Sequence, residues 1–563
     1  MKQRKISKKK YFLIFLSLIF CISNIFWILN DTRPYSYEDL VLVSKVDTLI
    51  YNTNTINEKI NYLWSSDYPP FIPSLLFFLA SVIGTNGKTL LLANILFFPF
   101  LILGIYKLSK ELIHKNAGIK TTLFFLSFAT INYLSRTMYD QFILMTFLVW
   151  NIYFLLKSKF FQIRSFSIWY AILFSVGMLS RYSILPFLIA PLVYFILIII
   201  FRIIKNKKAQ KTKFSNKDKT QFLNCILSLS LIFLIIAPWY IPNLHNIFSR
   251  YSLAQNLQTK NCYWYFFFFN LIGFLNLIIC ITLIFSNFFN KVKKIRLNKH
   301  FSINIFLIII SLLFFISFPK KNNQSLIPLL IPISMILGSL YFKSKNKIIN
   351  YFIFIILILQ CFVLTSPIKA NSKLDQFIYQ SKIVNPKLEQ KNCFFFIGQS
   401  SWINGNLNIG HSSNLLVLDK KKYPINTLFN QIAQKNVSAK IYLFVHESYL
   451  HESHLMHFSN IFNKSNIVGS SITGLSSPEE VLFNKVSPSS SFKWIDDFNF
   501  LVFPIDLMYF NETLILDEIN LNKLKIISQY LTNNNSQHKL IDSFNLTNEI
   551  SKNKYEIGIF YKN

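Results

Sequence analysis

The chain has 563 residues, of which 52% are hydrophobic and only 15% are charged. Soluble globular domains have about 25% charged residues, so the composition excludes an ordinary soluble protein and favours one embedded in a bilayer. The formal net charge of +33 is also typical of nucleic-acid-binding proteins. Half of the Lys and Arg residues, however, lie in short clusters between apolar runs, which excludes that class and predicts no nucleic-acid partner.

Apolar runs of membrane length follow one another along the first part of the chain. About 20 apolar residues in a helix span a bilayer. We predict about eleven transmembrane helices, at residues 11–29, 90–106, 119–135, 141–156, 166–180, 184–203, 221–238, 264–287, 301–318, 324–342 and 348–366. The apolar stretch 71–84 is too short to span comfortably and is predicted to be a re-entrant or juxtamembrane helix. Counting it as a span would invert every later loop.

Six basic clusters alternate with these spans and indicate the orientation. They lie at residues 1–10, 107–120, 157–164, 202–219, 291–299 and 343–347. The positive-inside rule places all six in the cytoplasm. We therefore predict a multi-pass protein of the inner or plasma membrane with a cytoplasmic N-terminus and an extracytoplasmic C-terminal domain.

The sequence changes character at about residue 369. Short apolar runs alternate with turn residues, which is typical of strands. We predict strands at 394–398, 415–418, 441–445, 500–504 and 555–561, and a helix at 522–531. The predicted fold class is an all-α polytopic membrane domain, residues 1–368, followed by a soluble, extracytoplasmic mixed α/β domain, residues 369–563.

Acidic residues are concentrated in the first predicted outer loop, residues 31–70. The loop contains Asp31, Glu38, Asp39, Asp47, Glu58 and Asp67, and Asp140 is predicted outside as well. Carboxylates at the outer surface can supply a general base or orient a substrate hydroxyl. For Asp47, Glu58 and Asp67 we favour ordinary solvation in a loop.

Glu38 and Asp39 are the strongest candidates for chemistry. Ser36 and Asp39 have the spacing of a capping box at the start of an apolar helical pattern. Asp39 can therefore be a helix cap, whereas Glu38 is not needed for that role. A helix N-terminus would favour the ionised form of both carboxylates.

Residues 32–39, Thr-Arg-Pro-Tyr-Ser-Tyr-Glu-Asp, resemble the first outer loop of the polytopic glycosyltransferases that use polyprenyl-phosphate sugars. That group includes the lipid A aminoarabinose transferase and the protein O-mannosyltransferases. Its members carry an acidic pair, usually Asp-Glu, soon after the first span. Here the order is reversed, and Glu38 falls where the family has its Asp.

Further motifs extend the resemblance over residues 1–342. Tyr68-Pro69-Pro70 resembles a Pro-Pro motif that the family often precedes with His or Lys, and Arg136-x-x-x-Asp140 resembles a second outer acidic site. Gly177-Met178-Leu179-Ser180-Arg181 resembles the family's Gly-Leu-x-x-x-Lys motif, and Ala237-Pro238-Trp239-Tyr240 resembles its Pro-Trp-Tyr motif. Pro319-Lys320-Lys321, followed by Leu326-Ile327-Pro328-Leu329-Leu330-Ile331-Pro332, resembles a late Lys and a Leu-Pro-x-x-Pro segment. The C-terminal domain is not covered.

The resemblance implies a GT-C-like membrane glycosyltransferase. Such an enzyme moves a sugar, with inversion, from a polyprenyl-phosphate carrier to an acceptor hydroxyl of a lipid, glycan or protein, and uses no metal or other cofactor. It implies Glu38 or Asp39 as catalytic base. The predicted substrate-binding residues are Asp31, Tyr68, Arg136, Asp140, Arg181, Lys320 and Lys321.

Some of these patterns have other interpretations. Residues 84–89, Gly-Thr-Asn-Gly-Lys-Thr, match the phosphate loop of ATP-dependent amide ligases, but membrane segments replace the buried strand and soluble helix that this loop requires. Lys320 and Lys321 are equally explained as lysines that snorkel to the interface. A transporter or flippase of lipid-linked glycans and a glycan-binding membrane scaffold remain as alternative functions.

Overall fold

The computed structural model describes residues 8–30, 42–43, 45–66, 68–84, 89–136, 140–208, 216–256, 274–289, 301–317, 327–344 and 346–365, and in the C-terminal part 440–443, 468–471, 500–504, 538–547 and 554–562. The chain divides into two compact units. The helical unit comprises Met1–Asn30, Ile60–Leu79 and Leu91–Leu416, and the second unit comprises Asp31–Lys59, Ala80–Leu90 and Val417–Asn563. The predicted domain boundary after residue 368 lies outside the described residues and stays a prediction.

Helices dominate the part of the chain before residue 366. They are α1 (Lys8–Asn30), α2 (Ile56–Ser65), α3 (Phe71–Ile83), α4 (Leu92–Leu112), α5 (Gly118–Ser127), α6 (Ala129–Ser135), α7 (Gln141–Lys157), α8 (Arg164–Ser180), α9 (Leu185–Lys208), α10 (Asn216–Asn256), α11 (Phe274–Phe289), α12 (Ile303–Ser317), α13 (Leu330–Lys343) and α14 (Lys347–Thr365). Short 3₁₀ turns, Thr89–Leu91 and Tyr182–Ile184, lead into α4 and α9.

Among the described residues, four helical stretches are long and apolar enough to cross a membrane. They are Tyr11–Leu29, Leu92–Leu112, Tyr182–Ile199 and Lys219–Phe248. Shorter apolar helices lie at the positions of other predicted spans, including Gln141–Lys157 and Lys347–Cys361. Helix α3 has 13 residues and a rise of about 20 Å, less than the roughly 30 Å of a hydrocarbon core. Its predicted re-entrant or juxtamembrane placement remains a prediction.

The predicted span at 119–135 is not one continuous helix. Helices α5 and α6 are separated at Phe128, whose ψ of 118° is extended. The Ser127 carbonyl accepts hydrogen bonds from the side-chain amides of Asn276, at 3.0 Å, and Gln360, at 2.8 Å. These amides satisfy a carbonyl in the broken turn, as an apolar surrounding requires, so the interruption is stabilised by α11 and α14.

The helix predicted to end at residue 238 continues well beyond it. Helix α10 has 41 residues and passes through Pro238 and Pro242 to Asn256. Each proline lacks an N–H and removes one intrahelical hydrogen bond, so Ala237-Pro238 indicates a helix end. The helix nevertheless extends beyond the predicted span 221–238, and this extension carries Tyr240 and Asn243, whose hydrogen bonds to neighbouring segments are described below.

The core of the helical unit is aliphatic and aromatic, with close backbone approaches between helices. A Cβ at Gly338 on α13 would lie 2.2 Å from the Thr121 hydroxyl on α5. Glycine therefore allows these two helices to pack more closely than any other residue would, as is common between membrane helices.

Three of the predicted cytoplasmic loops meet at one end of this unit, which we call the basic end. Lys157 lies 2.5 Å from Glu111, Lys120 lies 4.3 Å from the ring centroid of Tyr341, and the rings of His114 and Phe342 stack. Residues 107–120, 157–164 and 343–347 therefore share one end, as the alternation of basic clusters predicts. Which side of a membrane this end faces stays a prediction.

The described strands of the second unit form one mixed five-stranded sheet. The strands are β1 (Lys440–Leu443), β2 (Val468–Ser471), β3 (Phe500–Pro504), β4 (His538–Thr547) and β5 (Lys554–Lys562), in the order β2-β1-β3-β5-β4. β1 pairs in parallel with β2 and β3, and β5 pairs antiparallel with β3 and β4. The predictions for β1, β3 and β5 are confirmed, whereas the predicted strands at 394–398 and 415–418 and the helix at 522–531 lie outside the described residues.

Candidate active site

Asp140 begins α7 but does not cap it. Its backbone is already helical, and its carboxylate makes no capping hydrogen bond, although Asp is a favoured N-cap residue. Its carbonyl accepts the Leu144 N–H at 2.9 Å. The carboxylate is therefore available for tertiary contacts.

Arg181 ends α8 and reaches this carboxylate. Its N–H donates to the Gly177 carbonyl at 3.2 Å, and its backbone is extended, with φ −166° and ψ 134°. This extended residue turns the chain from α8 into the 3₁₀ turn Tyr182–Ile184. Its Nη1 donates to Asp140 Oδ1 at 2.5 Å.

Tyr68 supplies the second contact to Asp140. It stands before Pro69 and Pro70, and the Pro70 carbonyl accepts hydrogen bonds from the N–H and the hydroxyl of Ser74 in the first turn of α3. The Tyr68 hydroxyl donates to Asp140 Oδ2. Both carboxylate oxygens of Asp140 are thus engaged, and we call Tyr68, Asp140 and Arg181 the Asp140 cluster.

Burial makes the cluster a strongly coupled group. The Asp140 side chain is 1% exposed, whereas that of Arg181 is 24% exposed. Burial raises the pKa of the Tyr68 phenol well above its usual value, and the Asp140 carboxylate raises it further. Burial alone would lower the pKa of Arg181, but the Asp140 carboxylate and the Tyr68 phenol outweigh it and the pKa is raised. Arg181 stays charged, and its exposed part can contact a ligand.

Tyr182 is a neighbour that the motif analysis did not select. It is 36% exposed, and its phenol interacts electrostatically with Tyr68 and Arg181. Its position directly after Arg181 was the available signal in the sequence.

Arg136 makes different contacts. It is only 2% exposed, its Nε donates to Asn24 Oδ1 at 3.1 Å, and its guanidinium lies 5.6 Å from the Trp27 ring centroid. Ser135 donates to the same Asn24 oxygen. These contacts join the end of α6 to α1, and the predicted role of Arg136 in substrate binding stays a prediction.

The other predicted site residues lie outside the described part of the chain. They are Asp31, Glu38, Asp39, Lys320 and Lys321. No group of three or more His, Cys, Asp or Glu side chains that could hold a metal ion occurs within the described ranges.

Two acidic residues of the first loop, Asp47 and Glu58, lie in the described part of the chain. Glu58 Oε2 accepts the N–H groups of Asn54 and Thr55, and its own N–H donates to the Thr55 hydroxyl. This is a capping box at the start of α2, and the two backbone N–H groups lower the pKa of Glu58. Asp47 is fully buried, so the expectation that it is a solvated loop residue was wrong.

Part of the chain matches a known family model, and the whole chain resembles solved structures in fold. Residues 67–213 match the family model described as dolichyl-phosphate-mannose-protein mannosyltransferase, a segment that contains the Asp140 cluster. The crystal structure of ArnT from Cupriavidus metallidurans in the apo state is similar at 11% identity over 99% of each chain, with a TM-score of 0.55. The same protein bound to undecaprenyl phosphate is similar at 12% identity over 97% of this chain and 98% of that one, with a TM-score of 0.54. No curated protein gave a sequence match.

These findings confirm the resemblance to polyprenyl-phosphate-sugar glycosyltransferases that the sequence motifs indicate. The chain has the GT-C fold of polytopic membrane glycosyltransferases and is a multi-pass membrane protein. At this level of identity the structural likeness carries the fold alone.

Proposed function

We propose that the chain is an integral membrane glycosyltransferase. It moves a sugar from a polyprenyl-phosphate carrier to an acceptor hydroxyl of a lipid, glycan or protein on the extracytoplasmic side, with inversion. The observation that carries the proposal is the buried Asp140 cluster, with a permanently charged and partly exposed Arg181, inside the segment that matches the mannosyltransferase family model.

Arg181 suits the leaving group of such a reaction. When the bond between the anomeric carbon and the phosphate oxygen breaks, negative charge develops on the lipid phosphate, and a fixed cation stabilises that charge. Arginine forms planar, paired hydrogen bonds with phosphate oxygens. Asp140 holds one Nη of Arg181, and within the described part of the chain the other guanidinium donors are available for a phosphate.

Asp140 itself is a poor candidate for the general base. Its two oxygens accept hydrogen bonds from Tyr68 and Arg181, and its side chain is almost completely buried. We therefore assign the base to Glu38 or Asp39. In this step the acceptor oxygen bonds to the anomeric carbon, its proton passes to the carboxylate, and the lipid phosphate leaves with the bonding electrons.

The remaining assignments follow from the same proposal. Asp31, Tyr68, Arg136, Lys320 and Lys321 are proposed to complete the substrate site, with Tyr68 acting through Asp140. The described part of the C-terminal domain contributes a mixed sheet, for which we propose an extracytoplasmic location.

The test is release of lipid phosphate by the purified full-length protein from a panel of polyprenyl-phosphate sugars, with candidate acceptors present. We expect Glu38→Gln or Asp39→Asn to lower the rate by about 100-fold or more, the usual effect of losing a general base. The matched control is Glu58→Gln, because a glutamine can still accept the N–H groups at the α2 capping box.

The outcomes separate the alternatives. If no donor releases lipid phosphate and the Glu38 and Asp39 variants behave like Glu58→Gln in cells, the transferase proposal is abandoned. Movement of a lipid-linked glycan across vesicles without phosphate release would favour the flippase. Glycan binding without either activity would favour the scaffold.

A further inference from the structure

Two side chains of α10 reach the segments that carry the Asp140 cluster. The Tyr240 hydroxyl donates to the Met178 carbonyl at 2.9 Å, and the Asn243 amide donates to the Trp64 carbonyl at 2.9 Å. Residues three apart lie on the same face of a helix. One face of α10 therefore bonds to the main chain of two other segments within a single turn.

The first bond lies at the end of α8. Met178 has one of the last four carbonyls of that helix, which have no intrahelical partner. The Gly177 carbonyl beside it accepts the N–H of Arg181. Tyr240 thus fixes the last turn of α8 three residues before Arg181 leaves it toward Asp140.

The second bond lies at the end of α2. Trp64 belongs to its last turn, four residues before Tyr68. Asn243 is 2% exposed, and its amide also donates to the Trp239 carbonyl at 3.0 Å. A buried amide with two backbone acceptors has little freedom to move, so it holds the segment that leads to Tyr68.

We propose that Tyr240 and Asn243 are positioning residues that hold Arg181 and Tyr68 against Asp140. This inference rests on the proposed function, in which Arg181 stabilises the leaving phosphate. Neither side chain touches the donor in this role. Each acts through a backbone carbonyl three or four residues before a cluster residue. Tyr240 lies between Pro238 and Pro242, and Asn243 directly follows Pro242, so both bonds come from the same turn of α10.

The effect should appear in kcat more than in KM. Charge on the phosphate develops as the bond breaks, so a displaced Arg181 loses an interaction that is strongest in the transition state. For Tyr240→Phe, which removes only a hydroxyl, we expect kcat to fall about tenfold, within the range for small misplacements of catalytic groups. KM for the donor should change less than about twofold.

The chain offers matched controls at the basic end. The Tyr341 hydroxyl donates to the Asn350 carbonyl at 2.7 Å, and the Asn224 amide, on the same helix as Asn243, donates to the Phe161 carbonyl at 2.9 Å. Tyr341→Phe and Asn224→Leu remove the same kinds of bond as Tyr240→Phe and Asn243→Leu. The two tyrosine variants should lose similar thermal stability, and Asn243→Leu should lose somewhat more than Asn224→Leu because Asn243 also donates to the Trp239 carbonyl. Only the α10 variants beside the cluster should lose kcat.

Binding of undecaprenyl phosphate, measured by native mass spectrometry on the full-length protein, gives a readout without turnover. The free lipid phosphate carries the charge that the leaving group acquires, so its Kd should rise several-fold in Tyr240→Phe and Asn243→Leu and stay unchanged in the controls. Equal kcat and equal Kd within each matched pair would overturn the positioning role. A wild-type protein that never releases lipid phosphate would instead overturn the proposed function, and the comparison of Kd values would still decide the positioning role.

Discussion

The two ends of the helical unit each hold a carboxylate and a cation at the same distance but in different surroundings. At the basic end, Lys157 and Glu111 lie 2.5 Å apart, with their side chains 35% and 34% exposed. At the other end of α7, Arg181 and Asp140 also lie 2.5 Å apart, but Asp140 is 1% exposed. Exposed ion pairs contribute about 0–1 kcal/mol to folding stability. Breaking a buried pair costs more stability, because it leaves an uncompensated charge in the interior.

Distance alone does not identify a functional ion pair. Burial and additional donors distinguish them, because Asp140 also accepts the Tyr68 hydroxyl. The basic end instead surrounds its lysines with aromatic rings, with Lys107 4.9 Å from the Trp150 ring centroid. That arrangement is typical of the membrane interface. Substitutions at both ends of α7 therefore test whether burial makes the two ion pairs different.

The largest effect is expected from Asp140→Asn. An asparagine has a similar shape but no charge, so Arg181 loses its counter-ion in a mostly buried site. We expect a loss of about 2 kcal/mol in stability, below the roughly 3–5 kcal/mol of a fully buried pair because Arg181 is partly exposed. Lipid-phosphate release should fall on the order of 100-fold because Arg181 is no longer held in place.

The control for this change is Glu111→Gln at the basic end. It removes one charge from a pair with the same distance, and stability should change by less than about 1 kcal/mol, with no loss of turnover. Thermal unfolding in detergent and the release assay measure both quantities. Equal effects of the two variants would show that the two ends do not differ.

A smaller effect is expected from Arg181→Lys. Lysine keeps the charge but lacks the planar fork that can bond Asp140 and a phosphate at the same time. We expect a fall of about tenfold in kcat, equal to about 1.4 kcal/mol. The resemblance makes this a sharp test, because the family has Lys where this chain has Arg181.

The reciprocal control is Lys157→Arg at the basic end. A surface substitution of this kind usually changes stability by less than about 0.5 kcal/mol, and kcat should be unchanged. If Arg181→Lys retains full activity, the guanidinium has no special role and a point charge is sufficient.

The sequence predicts those elements and residues whose signals lie within a short stretch of the chain. Apolar runs located the helices, alternating patterns located β1, β3 and β5, and the motifs selected Tyr68, Asp140 and Arg181, which the structure brings together. These residues come from three separated segments, so their meeting was an expectation of the family resemblance and not of any local pattern.

Long-range contacts account for much of what was missed. The break at Phe128 has no Pro or Gly beside it, and the amides that stabilise it come from positions 149 and 233 residues away along the chain. Strand β4 contains Asp542, Ser543 and Asn545, residue types that are uncommon in strands, yet it pairs with β5 through a bulge. In both cases tertiary partners override local preference.

The smallest effect on turnover is expected from Tyr68→Phe, which acts mainly on stability. It removes one hydrogen bond to a carboxylate, a contribution of about 1.5–3 kcal/mol, while the Arg181 contact to Asp140 remains. Because burial and Asp140 raise the pKa of the folded-state phenol, its contribution to stability is fully present below about pH 10, the pKa of an unfolded tyrosine. That contribution is lost as pH rises through the folded-state pKa.

Thermal unfolding on both sides of about pH 10 should therefore show a steeper loss of stability in the wild type than in Tyr68→Phe. Tyr182→Phe, which leaves Tyr68 intact, should keep the steep loss, and parallel curves for all three proteins would show that the Tyr68 phenol is not held by Asp140.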